Sequence, residues 1–503
     1  MKRGTATTAL SPTTRAHIVL AAAVLAGAYA TSQAYAESAP GGCAAGVVEI
    51  SNADELSAAL ADTCPHEIGV RGVVSSVGTI RLAPGQRLVG VTDDAAITFP
   101  PAVDGIQLTS DNTVSKLRIQ ADPAKRAIFN DTAAAGLGTV KLVGLTTTGQ
   151  VQLLAKDQVR SGNVTVDGLD IVAADTSSQE KPRYVFYGSP LESREGAFQL
   201  WNRQPDADSV ITADLRGISV GRPDAPVVGS GVSIFGATPI TVPTPDGTPI
   251  GDVLHDRSQH PTSGSVRVST LETGALHTDG GLNPLGTDRA QVGSGAVFIG
   301  AQAPIDRMHV GGPITTRGLN AGGVDLFSDI NSVTFDGPIE TFGPTGIAIV
   351  SWPHVGMLTA NGPVTTHGLG ARGLNVYAGH IDTVRMHDIS TDGPGSPAID
   401  VFADIDDLGV DGRVTANGLP GPSLVLGNFT VLPSDALHVA EGGNVDTATV
   451  TGPLRTTAPG TSTVLVGPHS RVGTLCVAGG IEATGLGSKP VDNQGTLILQ
   501  CPA

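Results

Sequence analysis

The chain has 503 residues, of which 66 are Gly and 34 are Pro, with 4% aromatic but 40% hydrophobic content. Recurrent Val, Ile and Leu exclude a disordered chain, and small aliphatic side chains among many turns fit short stacked elements better than a few large cores. A formal net charge of −17 with no basic run excludes a phosphate-tracking nucleic-acid surface, and a polyanionic glycan would need a locally basic cleft.

The N-terminus reads as an export signal. Lys2, Arg3 and Arg15 precede the apolar run 18–28, and Ala34-Tyr35-Ala36 is a small-residue cleavage site before Glu37. Residues 1–36 are therefore expected to be removed and the mature chain to lie outside the cytoplasm, secreted or periplasmic. No later segment reaches 18 consecutive apolar residues, so no membrane span is expected after cleavage. Residues 37–75 read as an N-terminal cap. Val47-Val48-Glu49-Ile50 is a strand, and Asn52-x-x-Glu55 opens a short helix through Leu56, Ala59 and Leu60.

Residues 76–466 read as one solenoid, interrupted at about 175–208, 221–262, 276–293 and 427–436, and residues 467–503 as its last coils. The repeat is clearest after residue 300. Ile314, Ile339, Val364, Ile389 and Val414 stand 25 residues apart. Thr316, Thr341, Thr366, Thr391 and Ala416 follow two places on, and Gly318, Gly343, Gly368, Gly393 and Gly418 two places after those. Apolar alternation with period 2, as in Val324/Leu326 and Ile399/Val401, gives about three short strands per repeat, and helical periodicity is absent. The expected fold is all-β: a single-stranded, right-handed parallel β-helix of about 25 residues per coil with a short N-terminal capping helix. On this reading the Thr column hydrogen-bonds along the stack, and the Gly column marks a corner needing positive φ.

The four cysteines, Cys43, Cys64, Cys476 and Cys501, admit three pairings, of which local pairing at each end fits an exported chain best. Cys476 and Cys501 keep the 25-residue offset of Val472/Leu497, so stacked coils would bring them within disulfide reach.

Ile68, Val70 and Val73, then Ile80-Arg-Leu, Gly85-x-x-Leu88-x-Gly90 and Asn112-Thr-Val-Ser-Lys-Leu-Arg-Ile119, resemble the opening coils of pectate-lyase-like right-handed β-helix proteins. The resemblance covers roughly residues 45–120 and implies architecture rather than chemistry. The later Gly-Pro-Ile-Thr-Thr repeats also resemble autotransporter passenger domains, although no barrel-like terminal stretch supports that delivery route. Neither clustered calcium carboxylates nor an Arg-x-Pro-x-x-Arg segment of pectate lyases is present, and the polygalacturonase motifs are missing.

Candidate chemistry therefore rests on the interruptions, because loops carry function more often than scaffold does. Candidate catalytic groups are Glu192, Glu195, Asp206, His277, Asp279 and Asp288. Candidate substrate contacts are Arg194, Trp201, Arg203, Arg289, Trp352 and Tyr377. Paired carboxyls would serve glycoside hydrolysis, and a base with cations would serve a uronate lyase. His255, Asp256 and His260 match no strong metal pattern, and neither metal nor cofactor is assigned. Phe327, Trp352, Tyr377 and Phe402, again 25 apart, form an outward or corner stripe suited to sugar stacking, to a subunit interface, or to packing beneath loops. His354, His367, Arg372 and His380 read as surface groups in the same coils. Two functions stand open: a carbohydrate-active enzyme (glycosidase or polysaccharide lyase) acting on polysaccharide in a loop-walled groove, or a non-catalytic adhesin or glycan-binding β-helix. Oligomeric state is left open.

Overall fold

A computed structural model describes residues 46–75, 78–181, 183–186, 189–236, 241–242, 263–281, 292–425 and 428–501. These residues form a parallel β-helix solenoid. From residue 305 each coil contributes three short strands, illustrated by Ile330–Phe335, Ile339–Thr341 and Ile349–Ser351. Each pairs in parallel with its equivalent one coil on, Val333 with Leu358, Ile339 with Val364 and Ile349 with Leu374. Three faces result, called here first, second and third in that order.

The strands of the first two faces belong to one 27-stranded sheet. The reason lies in the earlier coils, where both faces are carried by single bent strands, Thr139–Thr148, Ser161–Ala173, Val210–Val220 and Ser265–Asp279. Gly144, Gly168 and Gly217 stack at the bend with φ of +61°, +77° and +65°, a conformation that disfavours a Cβ.

The core is the stack predicted from the repeat. Ile314, Ile339, Val364, Ile389 and Val414 are all buried, one above another. Parallel strands set successive coils about 4.8 Å apart, so each aliphatic chain packs on its equivalent and every coil extends the same core. Burying each such side chain contributes about 1.5–3 kcal/mol.

The Thr and Gly columns depart from expectation. Buried Thr316 and Thr391 donate to the carbonyls of Ala321 and Ser396 at 2.8 and 2.6 Å, and Thr341 and Thr366 make the equivalent bonds. The bond therefore closes the corner within one coil, where a turn leaves a carbonyl needing a donor, and does not run along the stack. Within the Gly318-to-Gly418 column, only Gly318 has positive φ. At Gly343, Gly368, Gly393 and Gly418 a Cβ would lie 1.6 to 1.9 Å from the carbonyl oxygen of the preceding glycine. Close backbone approach, not a left-handed turn, requires glycine there.

The two ends are finished differently. Asn52 caps the helix Ala53–Ala61 by accepting from the Glu55 amide at 3.0 Å, and Leu56 and Ala59 are buried in the core. Glu55 reaches back to the Ser51 amide at 2.7 Å, one residue earlier than the capping-box pattern suggests. Cys64 is disulfide-bonded; Cys43 lies outside the described residues. Cys476 and Cys501 form a disulfide with Cα atoms 4.5 Å apart, joining the segment just after the last strand, Thr496–Leu499, to the neighbouring strand, Arg471–Val477. The pairing shifts from Val472–Leu497 to Leu475–Leu499, so the constant 25-residue offset ends in a bulge before the bridge. Among the described residues no helix is long and apolar enough to cross a membrane.

Candidate functional site

The expected interruptions are partly strand. Gly196–Asn202 lies wholly buried on the third face between Gln150–Ala155 and Ser230–Phe235, and residues 276–279 complete a long second-face strand. Arg183–Phe186 and Ser189–Ser193 form an antiparallel pair whose second strand joins Val292–Ile299. Gly421–Val425 and Asn428–Leu432 form a hairpin near the expected interruption at 427–436.

Glu195 is the most perturbed of the candidate catalytic carboxyls. It is 2% exposed, and Oε2 accepts from Gln150 Nε2 at 2.8 Å and Gln152 Nε2 at 2.7 Å. Burial raises its pKa against the two amides, with Glu180 adding a smaller push upward and Arg203 opposing it. Arg203 stacks over Trp201 at 4.4 Å and pairs with Glu180, whose Oε1 lies 2.6 Å from Nη2. These groups therefore share one electrostatic neighbourhood. Gln150, Gln152 and Glu180 were not singled out from sequence, because nothing in spacing marks them.

Among the described residues, the remaining candidates have other partners. Asp206 is exposed and pairs with Arg160. Arg194 is buried and donates to the Ser177 carbonyl at 2.8 Å. Glu192 is half-buried on a short strand paired with Val292. His277 and Asp279 sit on the second face opposite Thr315 and Arg317. Burial lowers the His277 pKa, assisted by Arg222 and Arg317, and Asp279 accepts from the Gly281 amide at 2.8 Å. Asp288 and Arg289 lie outside the described residues, as do His255, Asp256 and His260.

The aromatic stripe is longer than the repeat indicates. Trp201, Phe235, Phe298, Phe327, Trp352, Tyr377 and Phe402 form one continuous run with successive ring centroids 4.5 to 6.0 Å apart. Trp201, Phe235, Phe298 and Tyr377 are buried, so Trp201 and Tyr377 serve as packing on the third face rather than as an open platform.

At the end of that run lies a charged cluster. Arg372 is fully buried, correcting its reading as a surface group. It donates to Asp400 at 3.1 Å, Asn375 at 2.7 Å, the Tyr377 hydroxyl at 2.8 Å and the Leu424 carbonyl of the hairpin at 2.5 Å. Asp400 also meets His438 Nδ1 at 2.9 Å. Burial opposes the charged form of His438, yet the Asp400 carboxylate outweighs it and raises the pKa. Burial pushes Asp435 up to about 7. A fully buried ion pair satisfied on several sides fixes the hairpin to the third face.

The first face carries an open recess of about 640 Å³ lined by Asn361, Arg385, His387, Asp407, Asp411 and Thr451. Gly409 leaves a gap in the outward column, and Arg385 lies across it, with Cδ 3.0 Å from where a Cβ would stand. Arg385 Nη2 pairs with Asp407 at 2.5 Å, and Thr451 donates to Asp411 at 3.1 Å. Donors and acceptors are thus held on strands and at the corners that follow them, and the sequence marks the place only by Gly where neighbouring coils carry Thr359, Arg385 and Thr449.

Compared with known proteins, the chain matches no family model, no curated protein and no solved structure.

Proposed function

We propose that this chain is an exported carbohydrate-binding β-helix that engages glycan through the first face without cleaving it. The observation carrying this reading is the open recess, where Arg385 and Asp407 on strands and Asp411 and Thr451 at the following corner offer mixed donors and acceptors. Sugar hydroxyls are both donors and acceptors, and a paired Arg–Asp edge recognises them without demanding a net charge. Kinship with pectate-lyase-like β-helices belongs to the same proposal, supported by the pattern over residues 45–120. So does export with cleavage after Ala36, for which an intact mass beginning at Glu37 is the check.

A hydrolytic reading has one observation in its favour. Glu195 is held toward its protonated form near Glu180, which is ion-paired, and environments that separate two carboxyls in this way suit acid catalysis. Its 2% exposure favours the binding reading.

A panel of neutral and acidic polysaccharides tests both. Retention on at least one glycan, loss of retention in R385A and D407N, and no new reducing ends or unsaturated-uronate absorbance are expected. Products that disappear in E195Q would replace binding by hydrolysis or lysis, and no retention on any glycan would remove the proposal.

A further inference from the structure

From the convergence of His380, Asp382 and Asp406 on the first face, with His354 hydrogen-bonded to Asp382 beside them, we infer a binding site for a divalent transition metal of the zinc class. His354 Nε2 lies 2.8 Å from Asp382 Oδ1, His380 Nε2 lies 3.3 Å from that same oxygen, and His380 Nε2 lies 3.1 Å from Asp406 Oδ2. Tetrahedral zinc with ligands at about 2.0–2.1 Å has ligand–ligand edges of about 3.3 Å. The two His380 contacts, at 3.3 and 3.1 Å, are close to that length, and the His354–Asp382 hydrogen bond at 2.8 Å would open slightly to reach it. The ligand atoms of His380, Asp382 and Asp406 all lie within 4.8 Å of one another.

The coils are adjusted to produce this. Successive first-face strands run from Ile330 to Val355, Ile381 and Ile405, spacings of 25, 26 and 24 residues. The extra residue is Gly379, with φ of +73°, in a corner where a Cβ would lie 2.2 Å from the Pro353 carbonyl. It brings His380 into register with His354 and places Asp382 beneath Asp406 in the adjoining column. Gly356 occupies that column one coil earlier, where a Cβ would lie 2.5 Å from the Asn331 carbonyl oxygen, and the His354 ring reaches Asp382 from the neighbouring column. The chemistry also balances. Two neutral imidazoles and two carboxylates carry two negative charges, which a divalent cation neutralises, and the mixed nitrogen and oxygen set suits zinc, cobalt or nickel better than calcium. Bound metal would tie three successive coils together.

The test uses the full chain. After equilibration with Zn²⁺ and exhaustive dialysis, H380A and D382N should each hold one equivalent fewer than the wild type by elemental analysis. Substitution with Co²⁺ should give the wild type a tetrahedral visible absorption that both variants lack. H469A, which alters the separate exposed His469–Glu441 pair, should retain both signals. Equal unfolding midpoints in chelator would show the variants folded. A readout independent of any variant is mass-spectrometric mapping of imidazole acylation in the wild type, in which Zn²⁺ should protect His354 and His380. Equal stoichiometry in wild type and variants, or unchanged acylation of both histidines, would overturn the inference.

Discussion

Replacing Arg372 by Met isolates the buried charge that anchors the hairpin. The substitution removes the donors to Asp400, Asn375, Tyr377 and the Leu424 carbonyl in one step, while the methionine stem refills much of the volume. Breaking a buried pair by deleting one partner costs about 3–5 kcal/mol, because the surviving charge stays desolvated. Asp400 retains His438 at 2.9 Å, which places the expectation for R372M near the lower end, about 3 kcal/mol. Neutralising the stranded partner should relieve part of that, so R372M/D400N is expected to be less destabilised than the sum of the single variants, with coupling of about 0.5–3 kcal/mol. Urea unfolding followed by far-ultraviolet circular dichroism measures the global term. Hydrogen exchange at Gly421–Leu432 reports whether the hairpin detaches first, since repeat architectures can lose coils locally. A cost below about 1 kcal/mol for R372M, or strict additivity in the double variant, would refute the idea that this pair is a buried, mutually dependent anchor.

Other outcomes follow from the same geometry. Gly368→Ala would place a Cβ 1.9 Å from the Gly343 carbonyl oxygen, and because backbone cannot rotate aside, a loss of about 1–3 kcal/mol in chemical unfolding is expected, whereas wild-type stability would contradict the close approach. Cys476→Ser/Cys501→Ser opens a bridge spanning 25 residues and should cost about 3 kcal/mol, with faster hydrogen exchange confined to the last coils. For pH, Asp435 has a folded pKa of about 7, above its unfolded value of 3.8, so the folded chain binds the extra proton between these limits. Its contribution to stability should fall as pH rises from about 4 through 7. D435N should flatten the change in urea midpoint across that window, and an unaltered slope would show that Asp435 does not titrate there.

Much of the fold was legible without coordinates. The aliphatic residues at 25-residue spacing, the alternation within each strand and the offset of Cys476 from Cys501 all express one local fact, that a coil of constant length returns each residue onto its predecessor. Hydrophobic periodicity reports burial directly, so the core and the terminal bridge could be read in order along the chain. The candidate site was far less legible. Glu195 and Trp201 were found through residue type, but the amides that hold Glu195 come from Gln150 and Gln152, in strands that no spacing connects to it.

What the sequence determined by itself was the solenoid period and the inward-facing columns, because each depends on residues one coil apart. Only the tertiary structure decided which polar groups are interior. Arg372 reads as a surface residue until the hairpin Gly421–Leu432 is laid over it, and Phe298 joins the ring column although coils of unequal length intervene. The single added glycine at 379 likewise has no meaning until register shows that it aligns His380 with His354. Burial of outward side chains and convergence of ligands depend on what covers a face and on small changes in coil length, and neither is carried by the local pattern of the chain.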